Sequence, residues 1–343
     1  MEKVFKYSNK SIIFSIILVL VSLIISISIG AAEISIDEII GILLREFLGY
    51  HSNAEINNIN KIIVLEWRLP RFCLGFLVGA SLAIAGCGFQ GVFKNPLADP
   101  FLLGSAAGAG LGVTLVIVND LNYSFGIINS VQLGAFIGAL SAVICAAFIS
   151  ISAGKSIASL LLAGIATAAF LTACQTYLMH KYYSSMQEIY SWIIGRLLTS
   201  GWEDVITILP YFTVCFIIIF LFRKELDLLR LSEDEAKMLG GNPRRTYFVV
   251  LTAASLLTAV AVSLSGLIAF VGLVIPHILR LTVSSSYRMI IPLSALVGGS
   301  FLTIADTFSR TVISPSELPI GIVTAFIGAP FFAFLLKASK GSF

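Results

Sequence analysis

Hydrophobic residues recur along this chain in long, nearly uninterrupted runs, and polar residues gather in the stretches between them. Because an α-helix rises 1.5 Å per residue, an apolar run of about 20 residues can span a hydrocarbon core of roughly 30 Å. The pattern therefore predicts an all-α integral membrane protein with about ten transmembrane helices in a single domain, residues 1–343. The ten runs lie near 11–29, 72–89, 103–118, 131–151, 157–177, 205–222, 248–267, 269–281, 290–307 and 318–336.

Two of these runs need a specific interpretation. The run at 269–281 is too short to cross the hydrocarbon core alone, so we expect a broken or tilted segment there. The run at 11–29 follows Lys3, Lys6 and Lys10 and could be mistaken for a signal peptide. Its 19 residues exceed the usual hydrophobic region of such a peptide, so we interpret it as a retained helix.

The distribution of positive charge predicts the orientation in the membrane. With ten spans and the N-terminus inside, 15 of the 22 Lys and Arg residues fall in cytoplasmic segments and 7 fall outside. Positive residues concentrate on the cytoplasmic side of membrane proteins. We therefore expect both the N- and the C-terminus to be cytoplasmic.

The composition agrees with a lipid environment and excludes a nucleic-acid partner. Hydrophobic residues make up 57% of the chain and charged residues 12%, against roughly 25% charged residues in ordinary soluble domains. The net charge is only +3, and the basic residues lie in short loops rather than on one basic face. The lipid bilayer is the main solvent that this sequence predicts.

No residue pattern points to catalysis or to a metal site. The stretch Gly154-Lys155-Ser156 looks like the end of a phosphate-binding loop, but Ile149 stands where the first glycine is required. The cysteines fall inside apolar runs without a C-x-x-C pair, which is typical of small buried residues. They are Cys73, Cys87, Cys145, Cys174 and Cys215. We therefore expect no catalytic residue and no metal ligand.

The longest cytoplasmic loop, residues 223–247, carries clear helix signals. Ser232 and Glu235 have the spacing of a capping box, and Gly240 can end the helix in a left-handed conformation. Asn242 and Pro243 can begin a second helical segment that turns back toward the membrane. Local chemistry leaves two interpretations open, a rigid docking knob and a solvated loop without a function.

Glycines recur every four residues on one predicted span. Gly104, Gly108 and Gly112 share a helical face, and Gly134 and Gly138 repeat the spacing on the next span. Small residues at this spacing let helix backbones approach closely in lipid. We interpret these glycines as helix-packing positions.

Charged residues also occur near the predicted outer ends of the spans. Asp306 and Arg310 are four residues apart on one helix face and can form an ion pair. Arg68 and Arg71 flank a Leu-Pro dipeptide at the mouth of the second span, where snorkelling to the interface is one interpretation. A proton-relay role for Asp306 stays open, although one carboxylate is thin support for ion coupling.

Two polar connectors complete the pattern. The stretch Ser35–Gly49 is predicted to form a surface helix outside the membrane, because Ser35 and Glu38 have capping-box spacing at its start. Residues 95–100 contain two prolines that break helix, together with Asn and Asp side chains that can cap. We expect a shaped turn on the inner side.

Several stretches in a fixed order resemble one known family along nearly the whole chain, the iron-siderophore and cobalamin importer permeases of the ATP-binding-cassette (ABC) class. The stretches are RLPRFCLGFLVGASLAIAGCGFQGVFKNPLADPFLLGSAAGAGLG (68–112), SWIIGRLLTSGWEDV (191–205), LDLLRLSEDEAKMLGGNPRR (226–245), SGLIAFVGLVIPHILRL (265–281), and ADTFSR with ELPIGIVTAFIGAPFF (305–332). The resemblance implies a type II ABC importer permease fold in a bacterial or archaeal cell membrane.

The resemblance also implies roles for particular residues. Residues 226–245 match the coupling helices that fit a cleft in the ATPase, here with Ser232, Glu235, Ala236, Leu239, Gly240, Asn242 and Pro243. The arginines Arg68, Arg71 and Arg310 match residues that meet carboxylates on an extracytoplasmic substrate-binding protein. The spans at 157–177 and 318–336 match those that line the pathway. Arg196 departs from the family pattern, which has a small polar residue there, and a cation near the outer entrance would favour an anionic ligand.

The partners implied by the resemblance are two ATPase subunits, a second permease copy or close paralogue, and the binding protein. No cofactor is expected on this chain, since ATP-Mg would sit on the ATPase. A ferric siderophore is the expected cargo, with cobalamin, haem and oxyanions left open. Two functions of other classes also remain, an ion-coupled secondary transporter that works alone and a membrane assembly protein without a pathway.

Overall fold

The computed structural model describes residues 2–30, 32–49, 57–154, 156–197, 201–314 and 316–338, and nearly all of them are helical. A π-helical turn, Ile63–Arg68, joins the third helix to the fourth, and a short hairpin pairs β1 (Ser124–Phe125) with β2 (Ile128–Asn129). The helices are α1 Glu2–Ser28, α2 Ile36–Leu48, α3 Asn58–Ile62, α4 Leu69–Val92, α5 Ser105–Val118, α6 Ser130–Ser152, α7 Ile157–Lys181, α8 Met186–Ile193, α9 Trp202–Leu221, α10 Arg223–Leu228, α11 Glu233–Met238, α12 Pro243–Ser265, α13 Val271–Thr282, α14 Tyr287–Thr311 and α15 Ile320–Ala338.

A helix occupies each of the ten apolar runs, which confirms the all-α membrane fold. These ten are α1, α4, α5, α6, α7, α9, α12, α13, α14 and α15. Seven helical stretches within the described ranges are long and apolar enough to cross a membrane by themselves. The three shorter ones are α5, α13 and α15. The predicted short run therefore becomes a helix that depends on its neighbours.

A break in the backbone precedes α13, as expected for that run. α13 has 12 residues, which correspond to roughly 18 Å of helix. Residues 266–270 before it are not helical, and Gly266 has a φ of +68°. A Cβ atom on Gly266 would collide with the Trp192 carbonyl oxygen. Irregular backbone at membrane depth is stable where protein covers it, and Gly266 lies in such a covered position.

α4 lies at the centre of the bundle. In its most apolar 18-residue window, 89% of the residues are buried, against 17% for α7. Glycines place α4 directly against its neighbours, because a Cβ on Gly79 would meet the Gly298 carbonyl of α14 and one on Gly86 would meet the Gly272 carbonyl of α13. Close backbone contact of this kind supplies the van der Waals packing that holds helices together in lipid.

The predicted glycine stripes face one another across α5 and α6. Gly108 lies against the Gly138 carbonyl, and Gly112 lies against the Gly134 carbonyl. Gly104 differs from the sequence interpretation because it precedes α5 as its N-cap, with a φ of +82°. A Cβ on Gly104 would lie 3.3 Å from the Ala168 nitrogen of α7. The α5 stripe therefore contains two glycines, and Gly104 serves the contact with α7.

Two helix starts also differ from the sequence predictions. Asn242 and Pro243 begin a helical segment as predicted, with the Asn242 side chain accepting from the Arg245 N–H, but that segment is the transmembrane helix α12 itself and not a separate short helix. At α2, the Ser35 hydroxyl accepts from the Glu38 backbone N–H at 3.3 Å. The Glu38 carboxylate instead accepts from the Asn57 backbone and the Asn60 side chain. Only half of the expected capping box therefore forms there.

The α5–α6 contact gives a stability test. We expect Gly108→Ala to destabilise the protein by about 1–3 kcal/mol, because the new methyl group overpacks the contact with α6. Gly41→Ala is the matched control, since a Cβ at Gly41 in α2 has no atom within 4 Å and alanine favours helix by about 0.5–1 kcal/mol over glycine. Thermal unfolding in detergent measures both. Equal midpoints for the two variants would contradict the close packing.

Candidate functional site

α10 and α11 form a compact projection at one end of the bundle, which we call the inner elbow (residues 223–242). Both ends of α11 are capped. The Ser232 hydroxyl accepts from the Glu235 N–H at 3.3 Å, and the Ser232 N–H donates to the Glu235 carboxylate at 3.0 Å. The Gly240 N–H donates to the Lys237 carbonyl and the Gly241 N–H to the Ala236 carbonyl, a Schellman ending with Gly240 at a φ of +83°. A six-residue helix is thereby held rigid.

The capping contact is also electrostatic. Hydrogen bonds from the backbone N–H and the hydroxyl of Ser232 hold the pKa of Glu235 below its ordinary value. A carboxyl group whose pKa is lower in the folded than in the unfolded state stabilises the fold at any pH above its unfolded-state pKa. This stabilisation is lost as the pH falls through the folded-state pKa. The contribution of Glu235 to α11 is therefore present at neutral pH.

The elbow is anchored to α14. The Asp227 carboxylate accepts from the Tyr287 backbone N–H at 3.0 Å and from the Ser286 hydroxyl at 2.8 Å. These contacts cap the N-terminus of α14, where free N–H groups and the helix dipole favour an anion. Leu226 and Leu229 are buried in the same core cluster as Tyr287. Polar and apolar contacts therefore fix α10 to the start of α14.

The elbow is anchored to the end of α4 as well. Lys94, just after α4, donates from Nζ to the Leu231 carbonyl at 2.8 Å. Leu226 and Tyr287 both lie 2.8 Å from the position of a Cβ on Gly91, so the last turn of α4 is enclosed by the elbow and α14. The elbow therefore contacts the ends of two packed transmembrane helices, α4 and α14.

The residues predicted to couple to the ATPase, which lie in the elbow or at the start of α12, divide by exposure. Ala236 and Pro243 are buried, whereas Ser232, Glu235, Gly240 and Asn242 are exposed. Leu239 is 64% exposed, and its neighbour Met238 is 88% exposed. The tip of the elbow therefore presents two large apolar side chains to its surroundings.

Four charged side chains meet at the opposite end of α14, and we call them the outer charge cluster: Asp306 and Arg310 of α14, Arg71 of α4, and Glu317 of the connector before α15. Arg71 binds Asp306 in a bidentate manner, with distances of 2.8 Å from Nη2 and 3.0 Å from Nε. It also donates to both carboxylate oxygens of Glu317, at 3.0 and 2.9 Å. Arg310 Nε lies 3.2 Å from Asp306 Oδ2, which confirms the predicted pair. The four formal charges cancel.

Two arginines also hold the end of α1. Arg68 donates to the carbonyls of Ile27, Ser28 and Ala32, and Arg310 donates to the Ser26 carbonyl at 3.2 Å. The last carbonyls of a helix lack partners within the helix, and cations are favoured there. These arginines therefore dock the first span onto the rest of the bundle.

This placement corrects the expected geometry of the three docking arginines. Arg68 is only 5% exposed, and Arg71 and Arg310 are committed to carboxylates within the chain. None of the three extends freely from the outer surface. Docking of a binding protein by these residues stays a prediction.

Two important residues were missed by sequence reasoning. Glu317 lies in the connector before α15, and nothing local links it to Arg71, which is 246 residues away. Asp227 is one acidic residue in a charged loop, and its partner is the start of α14, 60 residues later. A signal for the role of Asp227 was present at residues 286–287, which come just before an apolar run. They mark the start of a helix, and the free N–H groups there require a capping acceptor.

Comparisons with known proteins decide the family. A model of the FecCD transport family matches residues 18–338. The chain belongs to the FecCD transport family. It is 40% identical over 278 residues to the cobalamin import system permease protein of Halobacterium salinarum, with 81% of this chain and 74% of that protein covered. It is 37% identical over 328 residues to an Fe(3+)-citrate import system permease protein of Bacillus subtilis, with 95% and 94% covered.

A solved structure of the same kind agrees with the fold. The chain is similar to a metal-chelate type ABC transporter in an inward-facing conformation, with a TM-score of 0.83 and 28% identity. The match covers 96% of this chain and 99% of that one. The FecCD protein is therefore a multi-pass ABC permease of the cell membrane, which confirms the resemblance and the fold class.

The FecCD chain leaves parts of two spans uncovered. α7 exposes Leu162, Ile165 and Phe170, and α15 exposes Phe326. Both helices are among those predicted to line the pathway. Lipid or another protein must cover these apolar faces, because exposure of several large apolar side chains to water is unfavourable.

The outer charge cluster gives a second stability test. We expect Asp306→Asn to destabilise the permease by about 3–5 kcal/mol, because two buried guanidinium groups lose a shared partner. Glu46→Gln removes an acid from the exposed Lys61–Glu46 pair and should cost less than about 1 kcal/mol. Unfolding in detergent measures both variants. A small, equal effect would show that the cluster is not a structural clamp.

Proposed function

We propose that this permease is the membrane-spanning subunit of a binding-protein-dependent importer for a ferric siderophore. The observation that carries the proposal is the inner elbow, a rigid projection with an exposed apolar tip and anchors on both α4 and α14. A transporter that worked alone would have no use for such a surface. Two ATPase subunits are the partners that this surface would serve, with ATP-Mg bound by them.

The relatives support a metal chelate as cargo. One is named for ferric citrate and one for cobalamin, and the similar solved structure is of metal-chelate type. The first two cargoes differ in size and charge, so family membership alone leaves cobalamin, haem and oxyanions as alternatives to the siderophore. A separate binding protein outside the membrane would deliver the cargo.

The proposed mechanism follows the anchors. Closure of the ATPase pair would move the elbow, and Asp227 and Lys94 would pass that movement to α14 and α4. Both helices run from the elbow to the outer charge cluster, so their outer ends would move with them. A second permease copy or paralogue, packed on the uncovered faces of α7 and α15, would complete the pathway between the two subunits.

Reconstitution in liposomes tests the proposal. The expected result is uptake of the chelate that requires ATP, the ATPase subunits and the binding protein together. Uptake by this chain alone, driven by a proton or sodium gradient, would instead establish the secondary transporter. The involvement of Asp306 with two arginines argues against a free intramembrane carboxylate for ion coupling. Complete assembly without any uptake would favour the assembly protein.

The tip of the elbow can be tested directly. We expect Leu239→Asp to reduce co-purification of the ATPase at least tenfold, because a charge would replace an apolar contact. Leu48→Asp is the matched control, since Leu48 is 75% exposed and also lies at the C-terminal end of a short helix. Pull-down from detergent measures both. Full ATPase recovery with Leu239→Asp would exclude the tip as the contact.

The outer arginines give the complementary test. Reversal of Arg71 or Arg310 to Glu should weaken attachment of the binding protein, because the surface shaped by the cluster is disturbed. ATPase assembly in detergent should persist, since the elbow lies at the other end of α14. Surface plasmon resonance with the binding protein measures docking. Unchanged docking by both folded variants would remove these residues from the docking surface.

A further inference from the structure

A cavity of about 500 Å³ opens at the same end of the bundle as the outer charge cluster. The ends of α5, α6, α8 and α12 and the β1–β2 hairpin form its walls. Its lining includes Asn129, Gln132, Glu188, Trp192, Arg196 and Ser265. Arg196 is the cation and Glu188 the acidic group among the residues that line it. A cavity of this size can hold a small molecule.

The backbone of Arg196 is held in place where two non-helical segments of the chain meet. Its N–H donates to the Ser265 carbonyl at 2.9 Å. Gly266, the next residue, packs so closely on the Trp192 carbonyl that no side chain would fit between them. The turn at residues 192–196 is therefore seated on the break between α12 and α13. The backbone of Arg196, at the cavity wall, is therefore fixed, which lowers the entropy cost of ordering this residue on a ligand.

The guanidinium group of Arg196 differs from the other outer arginines. Its side chain is exposed, and no carboxylate oxygen of the described residues lies within 4.0 Å of it. Arg71, Arg310 and Arg68 are all engaged by carboxylates or carbonyls. Arg196 also borders the narrow cleft at Arg71 and Glu317, but those two groups bind each other. Arg196 is therefore available to a ligand.

The chemistry of the wall defines what would bind there. A guanidinium group has five N–H donors in a planar fork that matches a carboxylate in a bidentate manner. Glu188 offers acceptor oxygens on the same wall, which suit a hydroxyl or N–H group and repel a second carboxylate. Trp192, a residue with a large and mostly apolar side chain, also lines the cavity. A polar ligand with a free carboxylate and neighbouring hydroxyl groups fits this arrangement.

We propose that this cavity recognises a carboxylate group of the incoming metal chelate, with Arg196 as the anion-binding residue. The inference deepens the proposed import function and rests on it for the identification of the ligand as a transported chelate. It narrows the cargo to chelates that retain at least one ionised carboxylate. A neutral chelate would gain nothing from Arg196.

Binding and transport can be measured separately. The permease with its ATPase, in nanodiscs and without the binding protein, is dialysed to equilibrium against radioactive ferric citrate, an anionic chelate, or a neutral ferric trihydroxamate. We expect Arg196→Gln to weaken binding of ferric citrate about tenfold and to leave the neutral chelate unchanged. Glu188→Gln should strengthen binding of ferric citrate, because it removes a repulsive charge from the same cavity. Arg45→Gln, on the exposed side of α2, is the matched control and should change neither.

The outcomes separate this inference from the proposed function. Unchanged citrate binding in Arg196→Gln, an equal loss for both chelates, or no wild-type binding of ferric citrate would each overturn the inference. Opposite effects of Arg196→Gln and Glu188→Gln would support electrostatic recognition over a structural role for either residue. Absence of ATP-driven uptake with intact Arg196-dependent binding would refute the importer and leave the binding site standing.

Discussion

Direct backbone contact between α4 and α14 is the constraint on which the rest of this structure depends. Lipid gives no hydrophobic drive for helix association, so two spans stay together only if they pack closely or form polar contacts. Gly79 and Gly298 remove the side chains that would separate them. α4 becomes a buried central helix through this contact and through the similar approach to α13. The other spans are arranged around that centre.

Polar groups secure both ends of this helix pair. At the inner end, Asp227 caps α14 and Lys94 holds the elbow to α4. At the outer end, Arg71 of α4 binds Asp306 of α14. Charges at these positions are tolerated because they lie at helix ends and have partners. The two helices are thereby joined to each other and to the elbow at one end, and to the outer charge cluster at the other.

The sequence predicted features that depend on local order. The ten spans follow from run length, the N-terminal cap of α11 follows from Ser232 and Glu235, and the glycines four residues apart mark helix-packing positions. Predictions were wrong where a side chain with a suitable local partner binds a residue that is distant along the chain instead. Glu38 had the spacing of a capping residue, yet its carboxylate binds Asn57 and Asn60. The two short helices of the elbow are α10 and α11. The segment that begins at Pro243 is the transmembrane helix α12.

Periodicity determined the helical membrane fold and capping determined the ends of α11, because each is a property of residues that are neighbours along one helix or loop. Charge bias predicted the orientation in the membrane, which stays a prediction. Only the tertiary structure decided the partners of the outer arginines. Arg71 meets Asp306 and Glu317 across 235 and 246 residues, and Arg68 is engaged by backbone carbonyls. Arg196 lines a cavity, and no carboxylate of the described residues lies within 4.0 Å of it. Such pairings depend on how the spans pack. From the sequence alone, several carboxylates were equally possible partners for each arginine.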